Sequence, residues 1–423
     1  MDAHSANSRA MQLVIVTSYA LQPGTANASR IACLTLACES QGISVRIIAS
    51  HSRDGAGAVD QNLDPSVATG QVTYVEADQT PWFRQPRGFG IVAQAWKRIA
   101  SRWRLATLVW HSLEQQGSLL LIYSSPADVG FPCLIAARLR RRPVFFEVNE
   151  MVPREEFAPD HRLIAYFSHY LGHIWLPRFS NGVIAISTRI QEVYERRGIA
   201  TLLLPSLFSG IDVSASEAAQ GEVSPPSRPF HVMYVGQGKV EDGVPELLLA
   251  IGKLRNSGMD VVLDVVGASS SKIADSFTVI GRESRPLPKW VTVFGWVPPS
   301  DYVRHLAATD CFVLPRPSNG TNQANFPTRL PEFLSTGKPV IVGIAGDIPL
   351  YLTHGEHALL LQESDADEIA SCIGQLVAFP EIARALGKAG GQRGTEVFGY
   401  ATYTADLTEF LVGNSNISEK EIH

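Results

Sequence analysis

Residues 11–50, MQLVIVTSYALQPGTANASRIACLTLACESQGISVRIIAS, decide the fold of the first half of the chain. Residues 11–17 form a nearly continuous apolar run, which is typical of a strand buried in a parallel sheet. A loop follows, and then apolar residues recur at helical spacing until Gly42, where a glycine can end the helix. A second apolar run covers residues 43–50. Strand, loop, helix and strand in this order predict a βαβ unit.

The alternation of strands and helices continues beyond this unit and then starts again. Residues 207–230 are rich in small residues, prolines and acids, which indicates a linker. A second series of strands and helices follows it. The predicted fold class is therefore α/β, with two Rossmann-like domains that are doubly wound parallel sheets facing an interdomain cleft. Further strands of the first domain are predicted at 71–76, 119–123, 144–148 and 182–186.

The domain boundaries follow from this pattern. We expect the first domain at residues 1–208, the linker at 209–229 and the second domain at 230–397. A late amphipathic helix, within residues 398–423, is expected to pack back on the first domain. Ligands of such sheets bind at the carboxyl ends of the strands, so the cleft is the expected site.

Composition limits the class of protein. Hydrophobic residues make up 45% of the 423 residues and charged residues 18%, which is enough for a core and excludes wholesale disorder. A net charge of -5 argues against a dedicated nucleic-acid binder. The 5 cysteines are scattered, which favours packed thiols in a reducing compartment. The N-terminus lacks the features of a signal peptide and no apolar run reaches about 20 residues, so we expect a cytoplasmic protein, soluble or peripheral to the inner membrane face.

Residues 314–342, LPRPSNGTNQANFPTRLPEFLSTGKPVIV, carry the most specific motif of the chain. They resemble the donor-site signature of the retaining family 4 glycosyltransferases, which have the GT-B fold, and most closely the variant found in bacterial surface-polysaccharide transferases. Ser318 lies in the turn after the strand, Glu332 takes the place of the second glutamate, and Gly337 begins the G-x-P-V-I segment. The resemblance covers residues 230–411 well and residues 11–212 loosely.

The resemblance implies a site for a nucleotide diphosphate-sugar donor, linked to UDP or GDP. Glu332 would accept hydrogen bonds from the ribose hydroxyls, as a carboxylate can. Arg329 and the backbone amides of Phe326 and Thr328 would bind the diphosphate, and Gly236 and Gln237 would belong to the same donor site.

Three positions depart from the family pattern. Ala324 stands where the first glutamate is usual, and Gln237 and Asp242 stand where an arginine and a lysine usually hold the phosphates. We expect Lys239 and Arg329 to supply the missing positive charge. For Lys239 the alternative is a solvated loop lysine.

Two segments of the first domain are candidates to face the donor and the acceptor. Gly24, and Arg30 in the following helix, come after the first strand, although Gly24 also fits a plain turn. Asn149 and Glu150 follow the strand at 144–148, where they would touch the acceptor or serve as a structural loop pair. Ser187, at the end of the strand at 182–186, is also expected at the cleft.

The mechanism implied by the resemblance needs few side chains. The leaving diphosphate is stabilised electrostatically and one of its oxygens takes the acceptor proton. The residues assigned to catalysis are Asn149, Glu150, Lys239 and Arg329. No histidine cluster is evident in the sequence, and this mechanism requires no metal, so we expect no metal and no cofactor.

The stretch at residues 82–110, WFRQPRGFGIVAQAWKRIASRWRLATLVW, carries 6 basic residues and no acid. Its tryptophans Trp96, Trp103 and Trp110 recur every seven residues, which places them near one helical face. With Arg98 and Arg102 they favour docking on an anionic membrane. The alternative is a tryptophan stripe facing the core with a solvated basic side.

The predicted function is thus transfer of a sugar from a nucleotide-sugar to a saccharide or a lipid-linked saccharide, without nucleic-acid partners. The alternative from another class is a catalytically silent GT-B protein that binds nucleotide-sugar or glycan and supports a partner transferase. A GT-B-like sugar-nucleotide epimerase is a third.

Overall fold

The structure is a computed structural model that describes residues 11–19, 21, 25–51, 71–76, 90–157, 162–210, 228–281 and 286–415. It divides into two compact units: Met1–Ser209 with Tyr400–His423, and Gly210–Gly399. Most of the predicted linker, residues 211–227, lies outside the described residues.

The N-terminal unit is built on a parallel sheet. In the described part of the chain this sheet has seven strands in the order β3-β2-β1-β4-β5-β6-β7, with β1 and β4 adjacent at the switch point. Residues of β1, β4 and β5 are buried on both faces of the sheet, which explains the continuous apolar runs of these strands. The six predicted strands, β1 to β6, are confirmed within a residue at each end, and the sequence pattern did not predict the short edge strand β7. The strands are β1 Gln12–Thr17, β2 Ser44–His51, β3 Gln71–Glu76, β4 Ser118–Tyr123, β5 Val144–Val148, β6 Gly182–Ala185 and β7 Thr201–Leu203.

Helices of the N-terminal unit connect these strands. The side chain of Thr25 accepts a hydrogen bond from the backbone N–H of Ala28 and so caps the first helix. The helices are α1 Ala26–Ser40, α2 Gly90–Ser112, α3 Ala127–Leu139, α4 Arg162–Tyr170, which continues into a π-helical turn Leu171–Trp175, and α5 Thr188–Glu195.

The C-terminal unit repeats the design. Its described strands form a six-stranded parallel sheet in the order β10-β9-β8-β11-β12-β13, so β8 and β11 flank the switch point. The strands are β8 Phe230–Val235, β9 Val261–Val266, β10 Val291–Gly295, β11 Cys311–Leu314, β12 Val340–Gly343 and β13 Leu359–Leu361. In doubly wound sheets, ligands bind at the carboxyl ends of the strands beside such a switch point.

The helices of the C-terminal unit differ from the sequence pattern near the end of the chain. The apolar pattern of residues 366–392 indicates one helical stretch, but the structure breaks it at Phe379, before Pro380, because proline cannot continue the ladder of the preceding helix. The helices are α6 Val244–Asn256, α7 Ser270–Val279, α8 Pro299–Ala308, α9 Gly320–Ala324, α10 Leu330–Ser335, α11 Ile348–Tyr351, α12 Ala366–Ala378 and α13 Pro380–Phe398.

The last helix, α14 Thr404–Gly413, packs against the N-terminal unit. Its Phe410 ring lies 5.7 Å from the ring of Phe145 in β5. A Cβ on Gly182 would lie 2.6 Å from the Phe410 ring, so only glycine leaves space for this contact. The helix expected from residue 398 starts later, because α13 ends at Phe398 and a 3-10 turn precedes α14.

Among the described residues, no single helix has the length and hydropathy to cross a membrane. The pair α12 and α13 meets those criteria only when joined across its 107° bend.

Candidate functional site

The loop after β8 begins at the switch point of the C-terminal sheet and presents backbone there. A Cβ on Gly236 would overlap the hydroxyl of Tyr234. A Cβ on Gly267, whose φ is +92°, would lie 3.0 Å from the carbonyl oxygen of Gly236. Both positions therefore need glycine, and the chain can approach a ligand closely at Gly236.

The side chains of this loop differ in their surroundings. Gln237 and Lys239 are exposed, and Lys239 forms no ion pair with any described residue. The hydroxyl of Tyr234 donates to Oδ2 of Asp242 over 3.4 Å. Burial, and then the charge of Asp242, raise the pKa of Tyr234, so this hydroxyl keeps its proton.

Arg316, in the turn after β11, is a candidate residue that the sequence analysis did not single out. Its φ is +40°, a region that L-residues seldom adopt. Its Nε is buried and has no hydrogen-bond partner among the described residues. Burial lowers the pKa of Arg316, and the nearby charge of Asp242 opposes this. The signal in the sequence was an arginine between two prolines, Pro315 and Pro317, directly after a strand.

Arg329 and Glu332 lie together on α10. Nη1 of Arg329 is 2.6 Å from Oε2 of Glu332, and the Tyr302 hydroxyl donates to the same oxygen over 3.1 Å. Burial lowers the pKa of Arg329, but the charge of Glu332 outweighs it and the net shift is upward. Oε1 of Glu332 has no hydrogen-bond partner in the described part of the chain. The carboxylate is thus oriented by two partners and keeps one oxygen for a ligand.

The segment before α10 is mostly buried. Phe326 is 3% exposed, and its ring lies 5.6 Å from Tyr351 and 5.4 Å from Phe398. Thr328 is half-buried, and Ala324 is 2% exposed. The structure places Phe326 in the core of the C-terminal unit, so only its backbone remains a candidate for ligand contact.

Asn149 and Glu150 follow β5 at the carboxyl edge of the N-terminal sheet. Oδ1 of Asn149 is buried and has no hydrogen-bond partner among the described residues, while Glu150 is half-buried. Gly24, the other candidate of this domain, lies outside the described residues. Ser187 is buried and caps α5, where its Oγ accepts from the N–H of Ile190.

Two histidines lie beside Glu150, and the expectation of no histidine cluster is wrong. His169 lies in the last turn of α4 and His173 lies one turn later, with ring centroids 4.3 Å apart. Glu150, His169 and His173 each offer one ligand atom, and these atoms lie within 4.8 Å of one another. The His-x3-His spacing on a helix was the signal in the sequence.

Hydrogen bonds engage both rings of this cluster. The N–H of Val152 donates to Nε2 of His169 over 3.2 Å. Nδ1 of His173 is 3.2 Å from the carbonyl oxygen of His169, and its Nε2 is 3.3 Å from the hydroxyl of Ser124. Burial lowers the pKa of His169 to about 3 and also lowers that of His173, so both rings are neutral at pH 7. Two neutral imidazoles and a carboxylate fit a divalent cation, which would have to replace two of these bonds.

Arg30 is a structural residue and does not face a ligand, contrary to expectation. It is 1% exposed and pairs with Glu147, whose side chain is fully buried. Its other guanidinium nitrogens donate to the carbonyl oxygens of Leu204 and Pro205. Burial raises the pKa of Glu147, and the charge of Arg30 offsets part of the shift.

Comparison with known proteins relates part of the C-terminal unit to a family. Residues 229–378 match the sequence profile of the family described as glycosyl transferases group 1. This part of the C-terminal unit is similar to the glycosyl transferases group 1 family.

Relatives and solved structures extend this result. A GDP-mannose-dependent alpha-(1-6)-phosphatidylinositol monomannoside mannosyltransferase of Mycolicibacterium smegmatis is 26% identical over 175 residues, which cover 40% of this chain and 44% of that protein. The match to the Mycobacterium tuberculosis protein of the same name is 28% over 126 residues, 29% of this chain and 33% of that protein. The chain thus spans less than half the length of the curated relatives it matches.

The solved structures show that the chain has the GT-B fold. HepE of Anabaena, solved with UDP and glucose, has a TM-score of 0.64 and 18% identity, and the match covers 95% of this chain and 99% of HepE. Sucrose-phosphate synthase of Thermosynechococcus elongatus has a TM-score of 0.66 and 17% identity, over 95% of this chain and 98% of that protein.

The N-terminal unit, outside the group 1 match, carries an apolar groove between α2, α3 and the π-helical turn. Its volume is 1280 Å³. Trp103 is 70% exposed, which is inconsistent with a tryptophan stripe facing the core. Trp110 is half-buried, and the side chains of Trp96 and Arg98 lie outside the described residues. The exposed apolar side chains of the groove are Ile99, Trp103, Phe131, Ile135, Leu139 and Leu171.

Basic residues around this groove are partly paired. Arg102 donates from Nη2 and Nε to Oδ2 of Asp128 on α3, over 2.7 and 2.9 Å, so its charge is compensated. Arg140 pairs with Glu114 over 3.0 Å and stacks on the ring of Trp110. Arg104 and Arg141 are exposed.

Proposed function

We propose that this chain is a glycosyltransferase that moves a sugar from a UDP- or GDP-linked donor to a saccharide or a lipid-linked saccharide. The observation that carries the proposal is Glu332 in the segment that matches the group 1 family. Its carboxylate is fixed by Arg329 and Tyr302 and keeps Oε1 for a ligand. A carboxylate held in this way can accept hydrogen bonds from the hydroxyls of a ribose. The similarity to a GDP-mannose-dependent transferase supports the same conclusion.

We also propose that transfer proceeds with retention and without a metal. Cationic side chains and backbone amides at the switch point would stabilise the leaving diphosphate, and a diphosphate oxygen would take the proton of the acceptor hydroxyl. Asn149 and Glu150 would bind that hydroxyl on the acceptor side. The buried Oδ1 of Asn149, which lacks a partner among the described residues, supports this role.

A lipid-linked acceptor is favoured by the groove of the N-terminal unit. We propose that the groove docks on an anionic membrane from the cytoplasmic side, because exposed apolar side chains and the exposed Arg104 and Arg141 lie on the same helices or directly after them. This proposal places the protein in the cytoplasm at the inner face of a membrane.

The alternative is a silent GT-B protein that binds a nucleotide-sugar or a glycan. It is favoured by Ala324, a buried residue that offers no carboxylate to the transferred sugar, and by Asp242, an acid where a lysine is usual. Both features should weaken the binding of a nucleotide-sugar donor.

The test is a screen of thermal shifts with UDP- and GDP-sugars, followed by donor turnover. A ligand that binds the folded protein raises its melting temperature by mass action. Slow hydrolysis of the stabilising donor would support an enzyme. In a reaction with an added acceptor, an unchanged anomeric configuration of the transfer product, read by NMR, would support retention. Binding without turnover would support the silent protein, release of a 2-epimer would indicate an epimerase, and no binding would contradict the proposal. Turnover that survives EDTA would support metal independence, and turnover restored only by a metal would point to the Glu150, His169 and His173 cluster.

A further inference from the structure

Among the described residues of the C-terminal unit, those expected to hold the diphosphate of the proposed donor supply little positive charge. Gln237 and Asp242 occupy the places of the usual arginine and lysine. Lys239 is exposed, and Arg329 is neutralised by its ion pair with Glu332. A donor carrying at least two negative charges needs a cation closer to the switch point.

The turn that carries Arg316 is fixed against the loop after β8. The N–H of Arg316 donates to the carbonyl oxygen of Asp242 over 3.1 Å. The hydroxyl of Ser364 donates to the carbonyl oxygen of Pro315 over 2.7 Å. A Cβ on Gly343 would overlap the carbonyl oxygens of Pro315 and Arg316, so the neighbouring strand end also confines this turn. The position of Arg316 is therefore set by the backbone.

The side chain of Arg316 has no hydrogen-bond or ion-pair partner in the described part of the chain. Its Nε is buried and unbonded, and no described carboxylate forms an ion pair with its guanidinium, although Asp242 is near. An unsatisfied buried donor and a φ of +40° both cost stability. Strain and unmet hydrogen bonds of this kind concentrate at binding sites, where a ligand supplies the missing partner.

We propose that Arg316 binds the diphosphate of the nucleotide-sugar at the β8–β11 switch point and replaces the cations absent at positions 237 and 242. The inference rests on the proposed function, because it assigns a residue to the donor of that reaction. Asp242 then acts as a counter-charge that keeps the guanidinium near the loop. The guanidinium fork suits phosphate oxygens, and its charge persists at any pH the protein tolerates.

The test compares nucleoside diphosphates with nucleosides by calorimetry, using UDP and GDP against uridine and guanosine. Arg316→Gln should weaken binding of the preferred diphosphate at least about tenfold and leave its nucleoside unchanged, since only the former carries phosphates. Arg316→Lys should retain part of the affinity. Arg384→Gln, which removes an exposed arginine of α13, is the matched control and should bind like the original chain.

Each other outcome overturns a specific claim. Equal losses for diphosphate and nucleoside would show that Arg316 only holds the turn, and unchanged affinities would show that it does not meet the phosphates. A further case is tested by introducing Arg316→Gln into the Asp242→Asn variant. If Arg316→Gln does not weaken diphosphate binding in that variant, the role of Arg316 is only to neutralise Asp242. If the original chain binds neither UDP nor GDP, the proposed function fails and this inference with it, whereas normal binding by Arg316→Gln overturns this inference alone.

Discussion

Arg329 holds Glu332 from three residues earlier in the chain, with Nη1 of the arginine 2.6 Å from Oε2 of the glutamate. The sequence pattern assigns these residues to different parts of a donor, the diphosphate and the ribose. Their contact favours a different division of labour, in which Arg329 orients the carboxylate and Glu332 offers Oε1 to the ligand. The positive charge of Arg329 is then largely compensated before any phosphate arrives.

Substitution of Glu332 tests its role at the ribose. Glu332→Ala should weaken donor binding by about 1.5–3 kcal/mol, because the lost hydrogen bond is charge-assisted. Adding Arg329→Ala to this variant should weaken donor binding little further, because the carboxylate that Arg329 orients is already absent. Calorimetry with the preferred donor measures both, and Glu363→Ala, an exposed glutamate, is the control. Additive losses would assign Arg329 its own contact with the donor.

Lys239 is predicted to contribute through a screened charge. Lys239→Gln should lower turnover by up to about tenfold, or 1.4 kcal/mol, at low salt. Because Lys239 is exposed, the effect should shrink as the Debye length falls to about 3 Å at 1 M salt. Steady-state kinetics at two salt concentrations measure this. If Lys239→Gln has the same kinetics as the original chain at low salt, Lys239 is a solvated loop lysine without a role in turnover.

Much of the fold could be predicted because buried parallel strands leave long apolar runs in the sequence. The motif that holds Glu332 was equally readable, since its residues are consecutive along the chain. Arg316 was harder to recognise, because its significance lies in a positive φ and an unmet Nε, which spacing does not reveal. The pairing of Arg329 with Glu332 also needed the side-chain geometry.

Contacts between distant segments account for the remaining errors. Arg30 and Glu147 are 117 positions apart in the sequence. The residues around Arg30 therefore do not indicate that it neutralises a buried acid. His169 and His173 are close in sequence, but their approach to Glu150 depends on how the π-helical turn packs on the Ser124 loop. There a Cβ on Gly172 would lie 2.8 Å from the carbonyl oxygen of Ser125.

The buried Arg30–Glu147 pair makes a prediction about stability. Arg30→Met should lower the free energy of unfolding by about 3–5 kcal/mol, because it leaves a buried acid without its partner. Arg30→Met with Glu147→Leu should recover part of that loss, since no buried charge remains. Urea unfolding measures both variants. If Arg30→Met instead left stability intact and abolished donor binding, Arg30 would be a ligand residue after all.

Acid should destabilise the chain through His169. This ring protonates near pH 6.5 in the unfolded chain but only near pH 3 when folded, because burial lowers its pKa to about 3. The unfolded state therefore binds more protons between these values, and the free energy of unfolding falls as pH falls, by up to about 1.4 kcal/mol per pH unit. Urea titrations from pH 7 to 4 should show a smaller slope for His169→Gln. His111→Gln, at an exposed histidine, should keep the original slope; equal slopes for all three would contradict the assignment.

The groove of the N-terminal unit should bind anionic membranes. Aromatic and aliphatic side chains such as Trp103 and Leu139, 70% and 69% exposed, suit the headgroup layer, and exposed arginines contribute about 1 kcal/mol each near an anionic surface. The protein should therefore sediment with anionic vesicles and much less with neutral ones, and 1 M salt should release it. Trp103→Ser and Arg104→Ser should each reduce the bound fraction, while Arg102→Ser should have a smaller effect because Asp128 already compensates that charge.

A matched variant separates a specific surface from general stickiness. Trp296 of the C-terminal unit is 62% exposed, close to the exposure of Trp103, so Trp296→Ser removes a comparable ring from another surface. The membrane assignment requires that Trp103→Ser lowers vesicle binding and that Trp296→Ser does not. Equal binding to anionic and neutral vesicles, or none to either, would contradict docking by this groove. The acceptor would then be a soluble saccharide, because an enzyme that extends lipid-linked chains has to reach them at the membrane surface.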